Sequence, residues 1–296
     1  MKKFSIIAGF IIIFSLFFQI TAFSSQTPAP NSCSAGAYPI SSPISRGIQR
    51  VLGFNIITTK IAETIIKNEI SKLITKGKVK VNINAYSAGD LIAGKIKSFE
   101  ITGKNVAYND IYLSSVNVHS LCDFTYFDYK KTPAVLSSPL FIKYNAEIKS
   151  AELEKIFTSD SIKEALQGIK IVINNVDFGK VDFVDIKPSI NNSKINIKAN
   201  LIYKRSIFAF KLPINLQTSL KTSNDKIFLT NLKFASDSIS NDLIFIKNSI
   251  ELNNINIFDL KTIKKDETDI KIKKINIVND KIFIEGTFWQ QQNTTL

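Results

Sequence analysis

The sequence predicts an α+β fold in which long, curved antiparallel β-strands form a sheet rolled around amphipathic helices. Apolar and polar residues alternate with a period of two in stretches such as Val79–Ala85 and Leu140–Ile148. This alternation is typical of a sheet with one apolar and one polar face. The order helix, strands, helix, strands then indicates a single elongated domain over residues 56–290, or two similar halves that meet near residue 150.

The first residues are typical of an export signal. Met1-Lys-Lys precedes an apolar run from Phe4 to Ile20, and small residues stand at Ala22 and Ser24. This order predicts a secretory signal peptide in residues 1–24, which we expect to be cleaved. The alternative is an uncleaved anchor, because the run nearly reaches the ~20 residues that a spanning helix needs. In either case the rest of the chain lies outside the cytoplasm, in the periplasm or cell envelope.

Residues 25–55 are rich in proline and serine, a composition that favours a flexible tether. Cys33 lies in this segment, and the only other cysteine is Cys122. The two could pair in an oxidising compartment, but neither their number nor their spacing indicates a disulfide framework, so we expect two separate thiols. The tail, residues 291–296, is expected to fray.

The first predicted helix runs from about Ile56 to Thr75, and its apolar positions cover a broad arc. Such a helix needs cover on more than one side, which a curled sheet provides. About five strands follow, and a shift of apolar parity after Leu113 predicts a β-bulge at Ser114-Ser115. Ser150 is expected to cap a second helix over residues 151–167.

The alternation resumes from Ile169 and predicts a second series of strands. Pro213 indicates an edge strand or a bulge, because proline cannot donate to the ladder. Asn279-Asp280 predicts a hairpin turn, and a short helix is expected near Ile257–Lys264. The predicted strands cover Lys194–Tyr203, Ser206–Leu220, Lys226–Phe234, Thr268–Val278 and Lys281–Phe288.

The chain carries a formal charge of +13, or +11 once Lys2 and Lys3 leave with the signal (13 − 2). This charge favours attraction to an anionic membrane surface or to acidic glycans. The lysines are spread along the strands opposite isoleucine and asparagine, as on a solvated face. Since no basic cluster with interleaved aromatic residues is present, we do not expect nucleic acid as a partner.

The sequence shows no catalytic constellation. His119 is the only histidine, and it alternates with Val116 and Val118 in a predicted strand without any Gly-x-Ser-x-Gly motif. Asp123 and Asp128 could be imagined as a carboxylate pair, but only their proximity supports that role. Neither a cluster of metal ligands nor a glycine-rich phosphate loop occurs. We therefore expect a protein that is not an enzyme and has no metal or cofactor.

A series of short motifs runs from Asp90-Leu-Ile-Ala-Gly-Lys to the start of the second helix. Its residues are Asp90, Leu91, Gly94, Lys95, Ser98, Tyr108, Ile111, Leu113, Ser114, Val116, Pro139, Leu140, Ser150, Glu152 and Leu153. The order of these motifs resembles the LmeA-like phospholipid-binding family of bacteria, in which aspartate usually stands at the position of Glu152. The resemblance reaches from roughly Ile56 to the C-terminus and implies phospholipid binding in a fold similar to tubular lipid-binding rolls.

The apolar strand faces exceed what two short helices readily cover, and together with the resemblance this favours an apolar groove that binds, or also transfers, phospholipid. The alternative is a structural or adhesive envelope protein with a dry core and no lipid ligand. The candidate lining residues of the groove are Ile61, Ile65, Ile142, Tyr144, Phe208, Phe210 and Leu212.

Overall fold

The structure is a computed structural model that describes residues 39–51, 54–108, 111–128, 135–173, 176–205, 208–223, 226–234, 248, 254–259, 268–290 and 294–295. The predicted signal peptide, most of the predicted tether and most of the predicted frayed tail lie outside these residues. Within the described residues, no helix combines the length and the apolar character needed to cross a membrane.

The described chain contains five helices and sixteen strands. The helices are α1 (Pro43–Val51), α2 (Phe54–Leu73), α3 (Ala88–Ile92), α4 (Ser150–Phe157) and α5 (Asp160–Ala165). The strands before α4 are β1 (Lys76–Asn84), β2 (Lys95–Ile96), β3 (Ser98–Tyr108), β4 (Ile111–Ser120), β5 (Thr125–Asp128), β6 (Val135–Leu136) and β7 (Leu140–Lys149). Those after α5 are β8 (Ile169–Ile173), β9 (Val176–Asn191), β10 (Lys194–Arg205), β11 (Phe208–Ser223), β12 (Lys226–Phe234), β13 (Ile255–Asp259), β14 (Thr268–Val278), β15 (Lys281–Gln290) and β16 (Thr294–Thr295).

The strands form two six-stranded antiparallel sheets and one small four-stranded sheet. The first sheet has the order β1-β3-β4-β7-β15-β14, and the second has the order β13-β12-β11-β10-β9-β8. The small sheet has the order β16-β6-β5-β2. The coarse fold class, an α+β protein with a curled antiparallel sheet, is confirmed. The C-terminal hairpin β14–β15 belongs to the first sheet. A division of the chain into two similar halves near residue 150 would instead place this hairpin with the strands of the second half.

Helix α2 packs on the apolar face of the first sheet and forms the first core. Ile66 and Ile70 are almost fully buried there, because residues four apart lie on one side of a helix. The sheet contributes alternate residues of each strand, as the period of two requires. The sheet residues of this core include Val79, Val81, Ile83, Phe99, Ile101, Val118, Leu140, Ile142, Ile270 and Phe288.

The second core lies between helices α4 and α5, the second sheet and the remaining part of the first. Phe157 of α4 is almost fully buried in it, together with Val181, Ile195 and Leu201 of the second sheet. Ile282, paired with Ile148, brings the first sheet into the same core. The apolar face of the first sheet is therefore shared by the two cores.

Three local predictions are wrong, each for a structural reason. The register of β4 with β3 and β7 is regular at Ser114-Ser115, and the irregularity lies instead between β1 and β3, beside Asn105 with φ of 51°. The second helix is divided into α4 and α5, and the Ser150 hydroxyl accepts from the Ile190 N–H at 3.1 Å instead of capping its helix. Ile257 lies in strand β13, which pairs with β12, rather than in a helix.

The Pro213 prediction has a simple explanation in the register. Strand β11 lies inside the second sheet, but its described pairing with β12 extends from Ser223 only to Leu216. Pro213 lies beyond that point and pairs with Asn200 of β10 on its other side. The missing N–H of proline therefore lies beyond the described pairing with β12 and removes no described hydrogen bond to it.

The predicted flexible tether, residues 25–55, extends too far along the chain, because helix α1 occupies Pro43–Val51. Proline is favourable at the first position of a helix, since its missing N–H would have no partner there.

The expectation of two separate thiols is also wrong. Cys122 is disulfide-bonded, and Cys33 is the only other cysteine in the sequence.

Candidate functional site

The most apolar cavity described in the structure lies between helices α2 and α3 and strands β2 and β5. Its volume is about 260 Å³. Among the described residues that line it, Thr58 is the only one with a polar side chain. The lining residues are Thr58, Ile61, Ala62, Ile65, Ile66, Leu91, Ile92, Gly94, Ile96 and Phe127.

The helical spacing of α2 and the strand ends opposite it form this apolar pocket. Ile61 and Ile65 are four residues apart, so both side chains point to the same side of α2. Ile66, Leu91, Ile96 and Phe127 are buried and form the floor. Ile61 and Ile92, at 56% and 57% exposure, form the mouth. The pocket is therefore closed by core residues at one end and open to solvent between two isoleucines at the other.

Helix α3 is held in place by side chains that cap its N-terminal amides. The Ser87 hydroxyl accepts from the Asp90 N–H at 3.0 Å. The Asn55 side-chain carbonyl accepts from the Ala88 N–H at 2.6 Å, and that of Gln49 accepts from the Gly89 N–H at 3.1 Å. Since the first amides of a helix have no partner within it, these bonds fix α3 to helices α1 and α2.

Asp90 links α3 to the segment that precedes α1. Its buried carboxylate accepts from the Ser41 N–H at 2.9 Å, from the Ser41 hydroxyl at 2.5 Å and from the Ser87 hydroxyl at 2.7 Å. Burial by itself raises the pKa of Asp90, but the hydrogen bonds from Ser41 and Ser87 and the charge of Lys95 outweigh it and lower the pKa below the ordinary value. The carboxylate is thus stabilised in its charged form and serves as a structural anchor.

The seven predicted lining residues are not brought together in one groove. Ile61 and Ile65 line the apolar pocket. Ile142 is fully buried in the first core, and Tyr144 packs partly against the same core. The Tyr144 ring lies where a Cβ on Gly286 would be, and its hydroxyl donates to the Lys271 carbonyl at 3.2 Å.

The remaining candidates lie in the second sheet. Phe210 and Leu212 pack against the second core, and the ring centroid of Phe210 is 4.9 Å from that of Tyr203. Phe208 pairs with Arg205 at the end of β11, and its side chain lies outside the described residues. The second sheet thus uses Phe210 and Leu212 for packing.

Sequence reasoning missed the other wall of the pocket. Leu91 and Ile92 belong to a five-residue helix, and Phe127 belongs to a four-residue strand. Neither element is long enough to show a periodic pattern. The available signal was the Asp90-Leu-Ile segment, which carries part of the resemblance and also forms this wall.

A second cavity, of about 470 Å³, is a polar trough across the first sheet. Two of its lining side chains, Asn117 and Glu285, already have partners outside the lining. Asn117 donates to Glu100 at 2.6 Å, and Glu285 forms an ion pair with Lys143 at 2.7 Å. The hydrogen bond from Lys143 lowers the pKa of Glu285. The His119 Nδ1 lies 3.3 Å from the Asn117 Oδ1. Among the described hydrogen bonds, the His119 ring contacts only the Asn117 amide.

No group of three or more His, Cys, Asp or Glu side chains suited to a metal ion occurs in the described parts of the chain. The apolar pocket is therefore the candidate site. No protein-family model, curated protein or solved structure matches the sequence or the fold. The resemblance to the LmeA-like family accordingly stays a prediction from the residues between Asp90 and Leu153.

Proposed function

We propose that this protein binds phospholipid non-enzymatically, outside the cytoplasmic membrane, by taking an acyl chain into the apolar pocket between α2 and α3. The observation that carries the proposal is the pocket itself, with apolar walls and an open mouth at Ile61 and Ile92. Transfer of an acyl chain from water into such a space gains about 0.8 kcal/mol for each buried CH₂ group.

The size of the pocket limits what it holds. Its volume of about 260 Å³ is below the roughly 300–1,000 Å³ of sites that enclose a whole drug-sized ligand. A complete phospholipid does not fit. The proposed ligand therefore inserts part of one acyl chain, while its headgroup and second chain stay at the mouth.

The cysteines support the proposed compartment. Cys122 is disulfide-bonded, and disulfides persist in oxidising environments such as the periplasm and the cell surface. This agrees with the N-terminal sequence, which is typical of an export signal.

The second candidate, an envelope protein with a dry core, is favoured by a different observation. The two large cores are closely packed, and residues such as Ile142, Leu136 and Phe288 have no exposed surface. In that case the small pocket is a packing defect without a ligand. The two functions differ in whether the pocket takes up an acyl chain.

Substitution of a pocket residue by aspartate tests the proposal. Ile61→Asp places a carboxylate at the mouth, and loading would then require its desolvation, so we expect affinity to fall roughly tenfold or more. Titration calorimetry with dihexanoyl phosphatidylcholine below its micelle concentration gives the affinity. Native mass spectrometry after purification without detergent detects retained lipid.

Ile57→Asp is the matched control, because Ile57 lies one turn earlier on α2, has 61% exposure and does not line the pocket. It should bind the short-chain lipid like the wild type. Equal losses in the two variants would place binding elsewhere. A wild-type protein that neither retains nor binds lipid would refute the proposed function and leave the envelope protein.

A further inference from the structure

The three N-terminal helices expose isoleucines where a water-soluble surface normally has polar residues. Ile44, Ile48, Ile57, Ile61 and Ile92, here called the isoleucine face, are exposed by between 56% and 77%. A single exposed apolar residue needs no explanation, but five large ones on three helices that pack together indicate an interaction surface. Two of them, Ile61 and Ile92, also form the mouth of the apolar pocket.

Helix α1 is held on the protein by polar contacts, not by its apolar side. The preceding residue Ser41 bonds to Asp90, and Gln49 bonds to the Gly89 amide. Ile44 and Ile48, which are four residues apart and share a side of the helix, remain exposed. A surface helix ordinarily buries its apolar stripe against the core. Since α1 does the opposite, its apolar side is available to an apolar partner.

The charge around this face identifies the partner. Helices α1, α2 and α3 carry five lysine and arginine residues against three acidic residues, a formal charge of +2 (5 − 3), on a chain whose formal charge is +13. Two of the acidic residues, Glu63 and Glu69, are ion-paired with Lys60 and Lys72 at 2.7 Å and 2.6 Å. Exposed apolar side chains on helices of net positive charge are the composition of helices that lie in the interface of an anionic membrane.

The position of the N-terminus supports the same orientation. The described chain begins at Pro39, whose carbonyl accepts from the Lys95 Nζ beside α3. The described chain therefore enters the fold next to α3, which carries Ile92 of the isoleucine face.

From these observations we infer that the isoleucine face docks on the surface of an anionic phospholipid bilayer and turns the mouth of the apolar pocket toward the acyl chains. The membrane is thus the partner of the proposed lipid site, and the functional role of the docking rests on that proposed site. The docking itself depends only on α1, α2 and α3.

Vesicle co-sedimentation tests the docking. The exported protein, with its N-terminus established by mass spectrometry, is mixed with vesicles of phosphatidylcholine and phosphatidylglycerol and, separately, of phosphatidylcholine alone. We expect stronger binding to the anionic vesicles and weaker binding at high salt. Ile44→Ser with Ile48→Ser should lower the partition coefficient on anionic vesicles roughly tenfold or more. Because both side chains are mostly exposed, the melting temperature should not change.

Quenching by brominated lipids tests the orientation, and it applies whether or not the N-terminal segment is retained. Ile48→Trp places an indole on the isoleucine face, and Val278→Trp places one on the β14–β15 hairpin, at the strand ends that pair near Lys149. The emission of the native Trp289, which is buried, is subtracted. We expect strong quenching at position 48 and none at position 278.

Equal quenching at both positions, or none at position 48, would overturn the inference. So would a stable dimer that Ile44→Ser with Ile48→Ser dissociates, because a second copy would then cover the face. A different result would refute the proposed lipid binding alone. In that case the wild-type protein docks on vesicles but neither retains nor binds lipid in the pocket. Loss of loading in Ile65→Asp, at a residue that lines the pocket but lies outside the isoleucine face, together with docking like that of the wild type supports both.

Discussion

At the scale of single residues, the end of strand β15 contains polar groups that burial leaves without partners. Gln290 has no exposed surface, and neither its amide nitrogen nor its amide oxygen has a hydrogen-bond partner in the described structure. The neighbouring Trp289 also buries its indole N–H without a partner. A buried polar group without a hydrogen bond costs about 1–3 kcal/mol. The buried polar groups at this strand end therefore lower the free energy of unfolding of the protein.

We predict that Gln290→Leu increases the free energy of unfolding by about 1–3 kcal/mol, because an apolar side chain of similar size removes the desolvation cost of the amide. Urea unfolding followed by circular dichroism measures the change. Gln217→Leu is the control, since Gln217 lies exposed on β11 and should change stability by only about 0.5 kcal/mol. Destabilisation by Gln290→Leu would show that the amide has a role that the described contacts do not reveal.

At the scale of elements, the pocket exists because polar side chains hold helices α1, α2 and α3 together. Asn55 and Gln49 cap α3 from α2 and α1, and Asp90 receives hydrogen bonds from Ser41 and Ser87. Helices α1 and α3, of nine and five residues, are too short to be stable alone. The positions of Leu91 and Ile92 in the pocket wall thus depend on buried hydrogen bonds.

We predict that Asp90→Asn lowers the free energy of unfolding at pH 7 by about 1–3 kcal/mol, because the hydrogen bonds from Ser41 and Ser87 to a charged acceptor are lost. The pKa of Asp90 is lowered in the folded protein. Its contribution is therefore complete above the ordinary aspartate pKa of about 3.9 and disappears as the pH falls further, through the folded pKa. Urea unfolding at pH 7 and at pH 2.5 should show the difference from wild type shrinking in acid.

Asp160→Asn serves as the control for that experiment, since the Asp160 side chain is 94% exposed. It should leave stability nearly unchanged at both pH values. A difference between wild type and Asp90→Asn that persists unchanged at pH 2.5 would show that the charge of Asp90 is not the cause.

At the scale of the whole molecule, distant parts of the chain are joined in two ways. Strand β15 pairs with β7 along its whole length, from Lys281 with Lys149 to Gln290 with Leu140. Cys122, just after β4, is disulfide-bonded, and Cys33 is the only other cysteine in the sequence. The first sheet is thus completed by the C-terminus, and the disulfide places a covalent restraint next to it.

We predict that Cys122→Ser lowers the free energy of unfolding by about 2–4 kcal/mol, the usual contribution of a disulfide that closes a long loop. Cys33→Ser and reduction of the wild type by dithiothreitol should give the same loss, because each removes the same bond. Urea unfolding with and without the reductant measures all three. A reductant without effect on the wild type would contradict the bond.

The sequence predicts those parts of this molecule that depend on local residues. Strands β10, β14 and β15 follow from alternation alone, and Asn279 and Asp280 both adopt the positive φ that their hairpin turn requires. The pocket was only half predicted: Ile61 and Ile65 follow from the α2 pattern, but Leu91 and Phe127 come from elements too short to have a period. Ile142 shows the other limit, because alternation gives its side of the strand and cannot tell that the first core buries it completely.

The late position of the C-terminal hairpin has a consequence for how the protein reaches its final state. The edge of β7 stays unpaired until residues 281–290 are present, more than a hundred residues after β7 itself. Pairing between such distant segments is slow, because a long loop must close first. Under the proposed export the chain crosses a membrane unfolded, N-terminus first, and pairing that waits for residues 281–290 delays folding until the C-terminus has passed. Until its last segment arrives, β7 offers an open edge to other chains, so exported protein truncated before Thr268 should aggregate.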